Sequence, residues 1–205
     1  ETQPSSNQEK TKSLKLRKKL NIPAQAIVYG HVSRISLPHK MDLKPTILAF
    51  AQLVQQTGRQ DLYLFLAGSV EEPDYLRHLL FYSKKLGIEN KLRLYLKFPF
   101  NERSAIYEMI DVFVSLSDNI QETFGLVLPE AMLYKKPVIA SDWNGYKDIV
   151  RHEKTGYLVP TYWTDCGQRL GQDPYFPHSA LGQARTRKIY QSESVAVDVQ
   201  KCIQY

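Results

Sequence analysis

The 205-residue chain reads as an α/β protein, a Rossmann-like parallel sheet with helices on both faces. Three observations predict it. Short apolar runs such as Ala26 to Gly30 (AIVYG) and Leu62 to Gly68 (LYLFLAG) have the length and composition of strands buried on both faces. Between them lie stretches of helical period, as over 42–58, where Ile47, Phe50, Leu53 and Val54 share one side. Gly58 and Gly87 close such stretches, as glycine does at helix carboxyl ends. Strands and helices alternating at these lengths imply right-handed crossovers and hence parallel strands.

Taken in order, residues 1–11 are polar and read as a disordered linker. A short helix is predicted from Lys12 to Leu20, with Leu14, Leu16 and Leu20 as its apolar positions, ending before Asn21-Ile22-Pro23. The first strand then delivers the chain into loop 31–40, at the strand end where open α/β sheets bind ligands. Helix 42–58, the strand at 62–68, a helix over 74–86 and a strand from Lys91 to Leu96 continue the rhythm. Phe98-Pro99-Phe100-Asn101 follows, with Asn101 the expected N-cap of a helix over 102–110. Val112 to Leu116, Pro137 to Ser141 and Thr155 to Pro160 complete six strands, a short helix ending at Val150 between the last two. Residues 12–160 thus form one domain. Residues 161–193 have no clean period and read as an insertion or long loop, while Val195, Val199 and Ile203 in 194–205 read as the start of a truncated C-terminal helix.

Composition bounds the function. With 43% apolar residues the chain can bury one α/β core, and it has no run of 18 uncharged apolar residues. It begins with Glu1 and shows no signal peptide, so it reads as a piece of a longer cytoplasmic polypeptide. Cys166 and Cys202 have no C-x-x-C spacing, which suggests neither a disulfide framework nor a metal site. The net charge of +6 is concentrated in Lys10, Lys12, Lys15, Arg17, Lys18 and Lys19, with only Glu9 against them. Such a cluster fits a solvated helix face or linker, or contact with an anionic membrane at its inner face. Nucleic acid is not expected as a partner, because no aromatic residues interleave the charge. No G-x-G-x-x-G and no G-x-x-x-x-G-K-[ST] is present, which argues against a dinucleotide dehydrogenase and a P-loop NTPase.

The stretch around which the chain is organised is Gln121-Glu122-Thr123-Phe124-Gly125-Leu126-Val127-Leu128-Pro129-Glu130. Pro129 has no N–H and is tolerated only in a helix's first turn, so the helix carrying Glu130 should begin near Gly125 or Leu126. Glu122 then lies on the preceding loop, and the N–H groups of Gly125, Leu126 and Val127 are predicted to be free for a phosphate. Two carboxylates flanking a phosphate suit a sugar nucleotide: Glu122 for sugar hydroxyls, Glu130 for ribose hydroxyls. Arg34 and Lys40, on the loop after the first strand, are candidate ligands of a diphosphate.

The decapeptide with its continuation Ala131-Met132 resembles the E-x7-E element of family-4 GT-B glycosyltransferases, the glycosyl transferases group 1. Thr155-Gly156-Tyr157-Leu158-Val159-Pro160 resembles that family's T-G-x-L-V-P, and Arg34 and Lys40 resemble its Arg…Lys pair, with five residues between them where four are usual. The resemblance covers residues 14–160 and implies the C-terminal, donor-binding half of a GT-B enzyme. It further implies transfer from a UDP-, GDP- or ADP-sugar with retention, no cofactor, and an acceptor held by a separate N-terminal domain. On this reading Glu122, Arg34 and Lys40 are catalytic, Phe124, Gly125, Leu126 and Glu130 bind the donor, and Phe98 or Phe100 lines the base pocket. No D-x-D occurs, so positive charge on the diphosphate must come from Arg34, Lys40 and the helix end. A sugar-nucleotide epimerase or hydrolase of GT-B type and a non-catalytic nucleotide-binding module are the alternatives.

Overall fold

The computed structural model describes residues 7–119, 122, 124–163 and 195–205. Its centre is a six-stranded sheet of β1 (Ile27–Val32), β2 (Leu62–Gly68), β3 (Leu92–Leu96), β4 (Val112–Ser115), β5 (Val138–Ser141) and β6 (Tyr157–Val159), in spatial order β3-β2-β1-β4-β5-β6. Every neighbouring pair is parallel. The Rossmann-like prediction therefore holds, including helices on both faces.

The alternation of strand side chains explains the layering. Phe65, Ala67, Phe113, Val138 and Ala140 point to one face, where α1 (Asn7–Lys19), α4 (Arg103–Met109), α5 (Val127–Leu133) and α6 (Tyr146–Ile149) supply Leu16, Ile106, Leu128 and Tyr146. Leu62, Leu64, Leu66, Val114 and Ile139 point to the other. There α2 (Lys44–Thr57), α3 (Pro73–Lys85) and α7 (Val199–Ile203) supply Ile47, Phe50, Leu79 and Cys202. Burial on both faces is why these strands read as continuous apolar runs.

Several boundaries differ from the sequence reading. Helix α1 begins at Asn7, so residues 7–11 are helical and not linker; residues 1–6 lie outside the description. Asn101 is not a cap: it lies inside a 3-10 turn, Phe100–Glu102, that runs directly into α4. At the carboxyl end, Val195 belongs to a strand. β7 (Thr161–Trp163) pairs antiparallel with β8 (Val195–Val197), and α7 starts only at Val199, capped by the Asp198 side chain accepting from the Lys201 N–H at 2.9 Å. Of the insertion or long loop expected at 161–193, Thr161–Trp163 form a strand of this ribbon, and the rest falls within 164–194, outside the described residues.

Helix α1 is anchored by a buried cation. The Arg17 guanidinium donates to the carbonyls of Ala24 (3.2 Å), Ala26 (2.7 Å) and Met109 (2.7 Å) and to the Asp111 carboxylate (2.7 Å), which also accepts the Val28 N–H at 2.8 Å. One side chain therefore joins α1 to the start of β1, the end of α4 and the start of β4. The other basic residues of the cluster, Lys10, Lys12, Lys15, Lys18 and Lys19, are exposed. Arg17→Ala, which strands three carbonyls and a carboxylate, is expected to lower the unfolding free energy by about 3 kcal/mol, against less than about 0.5 for Lys18→Ala. Urea denaturation of both variants checks this.

Candidate functional site

The strand order reverses between β1 and β4. Their following helices, α2 and α5, lie on opposite faces, so the loops leaving the two strands diverge and a crevice opens between them. Residues 33–43 form one wall and, of the described residues, 116–119, 122 and 124–126 the other.

Two residues singled out from the sequence meet across this crevice. The Lys40 ammonium donates to one Glu122 carboxylate oxygen, with side chains only 17% and 11% exposed. Partial withdrawal from water strengthens their attraction and makes each costly to leave alone. The other Glu122 oxygen accepts the Gly125 N–H at 3.1 Å, and the Glu122 N–H donates to the Asn119 carbonyl at 3.1 Å. Glu122 therefore closes the turn entering α5 itself. The sequence reading left the Gly125 N–H free for a phosphate; in the structure it is taken.

Gly125 cannot be another residue. Its φ is +57°, and a Cβ there would lie 2.2 Å from the Tyr146 ring. Tyr146 is fully buried beneath it, its hydroxyl 2.9 Å from the Ser115 Oγ, and burial with the Glu122 charge raises its pKa, keeping the phenol protonated. Nothing in the sequence marked Tyr146, because it packs beneath Gly125, 21 residues away, and bonds Ser115, 31 residues away.

The remaining candidates are distributed around this centre. Helix α5 starts after Leu126 with Pro129 in its first turn, as expected, and carries Glu130 inside the helix. Glu130 is not open: it accepts from Arg103 and from the Tyr107 hydroxyl, both at 2.5 Å. Burial and the Glu130 charge raise the Tyr107 pKa, so its hydroxyl remains a donor. Arg34 is half exposed and pairs with Glu71 at 2.8 Å, not with Glu122. Phe98 stacks on Tyr95 at 5.9 Å and packs against the core, whereas Phe100 is 83% exposed. Phe124 and Leu126 are also exposed, at 72% and 70%. Among the described residues, no group of three or more His, Cys, Asp or Glu side chains could hold a metal ion.

Two buried titratable groups stand behind the walls. His31, at the end of β1, bonds through Nδ1 to the Val114 carbonyl at 2.8 Å and through Nε2 to the Ser33 Oγ at 2.7 Å. A carbonyl only accepts, so Nδ1 carries the proton and the serine donates to Nε2. Burial lowers the His31 pKa to about 4. Asp118, 5% exposed, accepts the Asp42 N–H at 3.1 Å, and burial pushes its pKa up to about 7.

Comparison with known proteins bears on this arrangement. The family described as "Glycosyl transferases group 1" matches residues 12–170. The chain belongs to this family. The D-inositol 3-phosphate glycosyltransferase of Corynebacterium urealyticum is 32% identical over 170 residues, covering 77% of this chain and 38% of that protein. The Corynebacterium glutamicum enzyme of the same name is 32% identical over 167 residues. This group 1 chain therefore spans less than half the length of these relatives. Among solved structures, Anabaena HepE in complex with UDP-glucose superposes with a TM-score of 0.65 at 24% identity, over 99% of this chain and 52% of HepE. The C-terminal domain of the group 1 protein LpcC from Francisella tularensis superposes with a TM-score of 0.61 at 21% identity, over 100% of this chain and 94% of that one. The fold is one half of the GT-B architecture.

The two buried groups give this group 1 domain opposite pH dependences. His31 is depressed below its unfolded value, so its contribution to stability is complete above pH 6.5 and is lost as pH falls toward 4. Asp118 is raised, so its contribution is complete below about pH 4 and is lost as pH rises through 7. Relative to the wild type, Asp118→Asn should gain about 2–4 kcal/mol between pH 4 and 8, and His31→Gln should gain in the opposite direction, from pH 7 down to 4. Urea titrations across this range read both slopes.

Proposed function

We propose that this domain binds the donor of a two-domain glycosyltransferase that moves a sugar from a nucleoside diphosphate sugar to an acceptor, with retention at the anomeric carbon and without a metal ion. The observation that carries the proposal is the Lys40–Glu122 pair at the point where the strand order reverses. The pair sets a cation and an acceptor side by side in a poorly solvated crevice, as a phosphate beside a sugar requires. HepE, which shares the fold, is described in complex with UDP-glucose.

On this reading a donor diphosphate takes the Lys40 ammonium from Glu122, and Arg34 exchanges Glu71 for a phosphate oxygen. Both cations then stabilise the charge that grows on the departing nucleoside diphosphate. Glu122, still held by the Gly125 N–H, accepts hydroxyls of the transferred sugar and stabilises positive charge at its anomeric carbon. Glu130 takes the ribose hydroxyls, oriented by Arg103 and Tyr107. Phe100, being exposed, is better placed than Phe98 to meet a base. The acceptor would be held by a second domain, for which the longer relatives have room.

Calorimetric titration of the 205-residue chain with UDP, GDP and ADP tests the donor site. One nucleotide is expected to bind saturably and unaffected by EDTA, with at least about tenfold loss in the Arg34→Ala/Lys40→Ala variant, the weight of a charged hydrogen bond. Unchanged affinity in that variant would contradict the assignment. In the two-domain enzyme, Glu122→Ala is expected to lower turnover by about 10²-fold or more, and Glu130→Ala to raise KM for the donor by about tenfold. Near-wild-type kinetics in both would remove the two glutamates from the site.

A further inference from the structure

We infer that Asp118 is a positioning residue for Lys40, holding the loop after β1 at the height where the ammonium meets Glu122; the inference rests on the donor-site reading given above. Beyond Ile35, which is bonded to Ser69 and Glu71, three contacts hold the backbone of the loop around Lys40. Near its start the Glu72 carboxylate accepts from the Ser36 hydroxyl and from the Leu37 N–H, both at 3.1 Å. At its end the Tyr75 hydroxyl accepts the Leu43 N–H at 2.6 Å and donates to the Asp42 carboxylate at 2.9 Å. Both of these belong to the α3 side of the molecule and fix the loop relative to α3 alone. Asp118 supplies the third point and comes from the opposite wall: its Oδ1 accepts the Asp42 N–H at 3.1 Å, two residues from Lys40.

The opposite wall is itself rigid. The Ser141 hydroxyl donates to the Ser117 carbonyl at 2.6 Å, and the Trp143 indole N–H donates to the Asn119 carbonyl at 3.1 Å. Asp118 lies between these two anchored carbonyls, and the Glu122 N–H is bonded to the second of them. Glu122 is thus tied to the residue next to Asp118, and both carboxylates reach the loop that carries Lys40. Between Ser36 and Asp42 the chain makes a turn in which the Lys40 and Met41 N–H groups both bond the Ser36 carbonyl, at 3.1 and 3.2 Å. Met41, 1% exposed, fills the space below. A short turn fixed at both ends leaves Lys40 little freedom of height over the crevice. The Asp118 contact joins the two walls through the backbone of the loop, whereas the Lys40–Glu122 pair joins them through a long side chain.

Asn keeps an acceptor oxygen where Asp118 has one, and Leu keeps the volume and removes it, so the two variants separate the hydrogen bond from packing. The 205-residue chain is compared as wild type, Asp118→Asn, Asp118→Leu, Lys40→Ala and Asp118→Leu/Lys40→Ala. Two readouts are taken at one pH: amide hydrogen exchange at Asp42 without nucleotide, and UDP affinity by calorimetry, with GDP or ADP substituted if one of those is what binds. The expected result is at least tenfold faster Asp42 exchange in Asp118→Leu, near-wild-type exchange at Asp42 in Asp118→Asn, and no acceleration at core amides such as Phe65 in either, since their exchange follows global stability. Nucleotide affinity should fall about tenfold in Asp118→Leu, recover in Asp118→Asn, and fall no further when Lys40→Ala is combined with Asp118→Leu. Wild-type exchange at Asp42 in Asp118→Leu would overturn the inference, as would independent, additive losses from the two substitutions. If the unaltered chain binds no nucleotide, the donor-site reading is what fails, and the exchange measurement alone decides whether Asp118 holds the loop.

Discussion

The constraint on which the rest depends is that Lys40 and Glu122 have to meet across two loops that leave the sheet in opposite directions. A parallel sheet built outward in both directions from β1 has one place where adjacent strands send their helices to opposite faces, and here it lies between β1 and β4. The sheet therefore makes the crevice before any side chain is considered. What the sequence adds is a cation on one lip and a carboxylate on the other, little exposed and paired. Such a pair is weak evidence for stability, since desolvation offsets most of the attraction; under the proposed function its partners are exchanged for the phosphate and hydroxyls of a donor.

The walls of the crevice are more rigid than loops usually are, and each fixing contact has a plain physical cause. Gly125 accepts a left-handed backbone so that its N–H turns back onto Glu122, and the buried Tyr146 ring below it excludes any side chain at that position. Glu72, Tyr75 and Asp118 take the N–H groups that the opposite loop does not use internally. His31, neutral and satisfied at both nitrogens, closes the floor between β1 and β4. A carboxylate that bonds a backbone amide inside the protein fixes geometry at a cost in desolvation, and that cost is why Asp118 has a raised pKa.

The sequence was legible where a feature depends on local pattern. Strands buried on both faces are continuous apolar runs, so all six sheet strands were placed within two or three residues; the proline in the first turn of α5 located that helix, and the decapeptide located Glu122. It was misleading where two patterns look alike. Val195, Val199 and Ile203 fall at helical spacing, but Val195 pairs with Trp163 in a ribbon, a contact no window of local sequence contains. Asn101 has the chemistry of a cap and sits one residue too deep in a 3-10 turn. The partners of Glu130 (Arg103 and Tyr107), of Gly125 (Tyr146) and of Asp42 (Asp118) were missed for one reason: each lies more than 20 residues away and meets its partner only when the sheet has assembled.

The most direct test of the account is a crystal structure of this chain with the nucleoside diphosphate that binds it. The account expects the diphosphate between β1 and β4, with Lys40 and Arg34 on its oxygens, Glu122 released from Lys40 but still bonded to the Gly125 N–H, and the ribose at Glu130. A nucleotide bound elsewhere on the domain, with the Lys40–Glu122 pair intact, would contradict it.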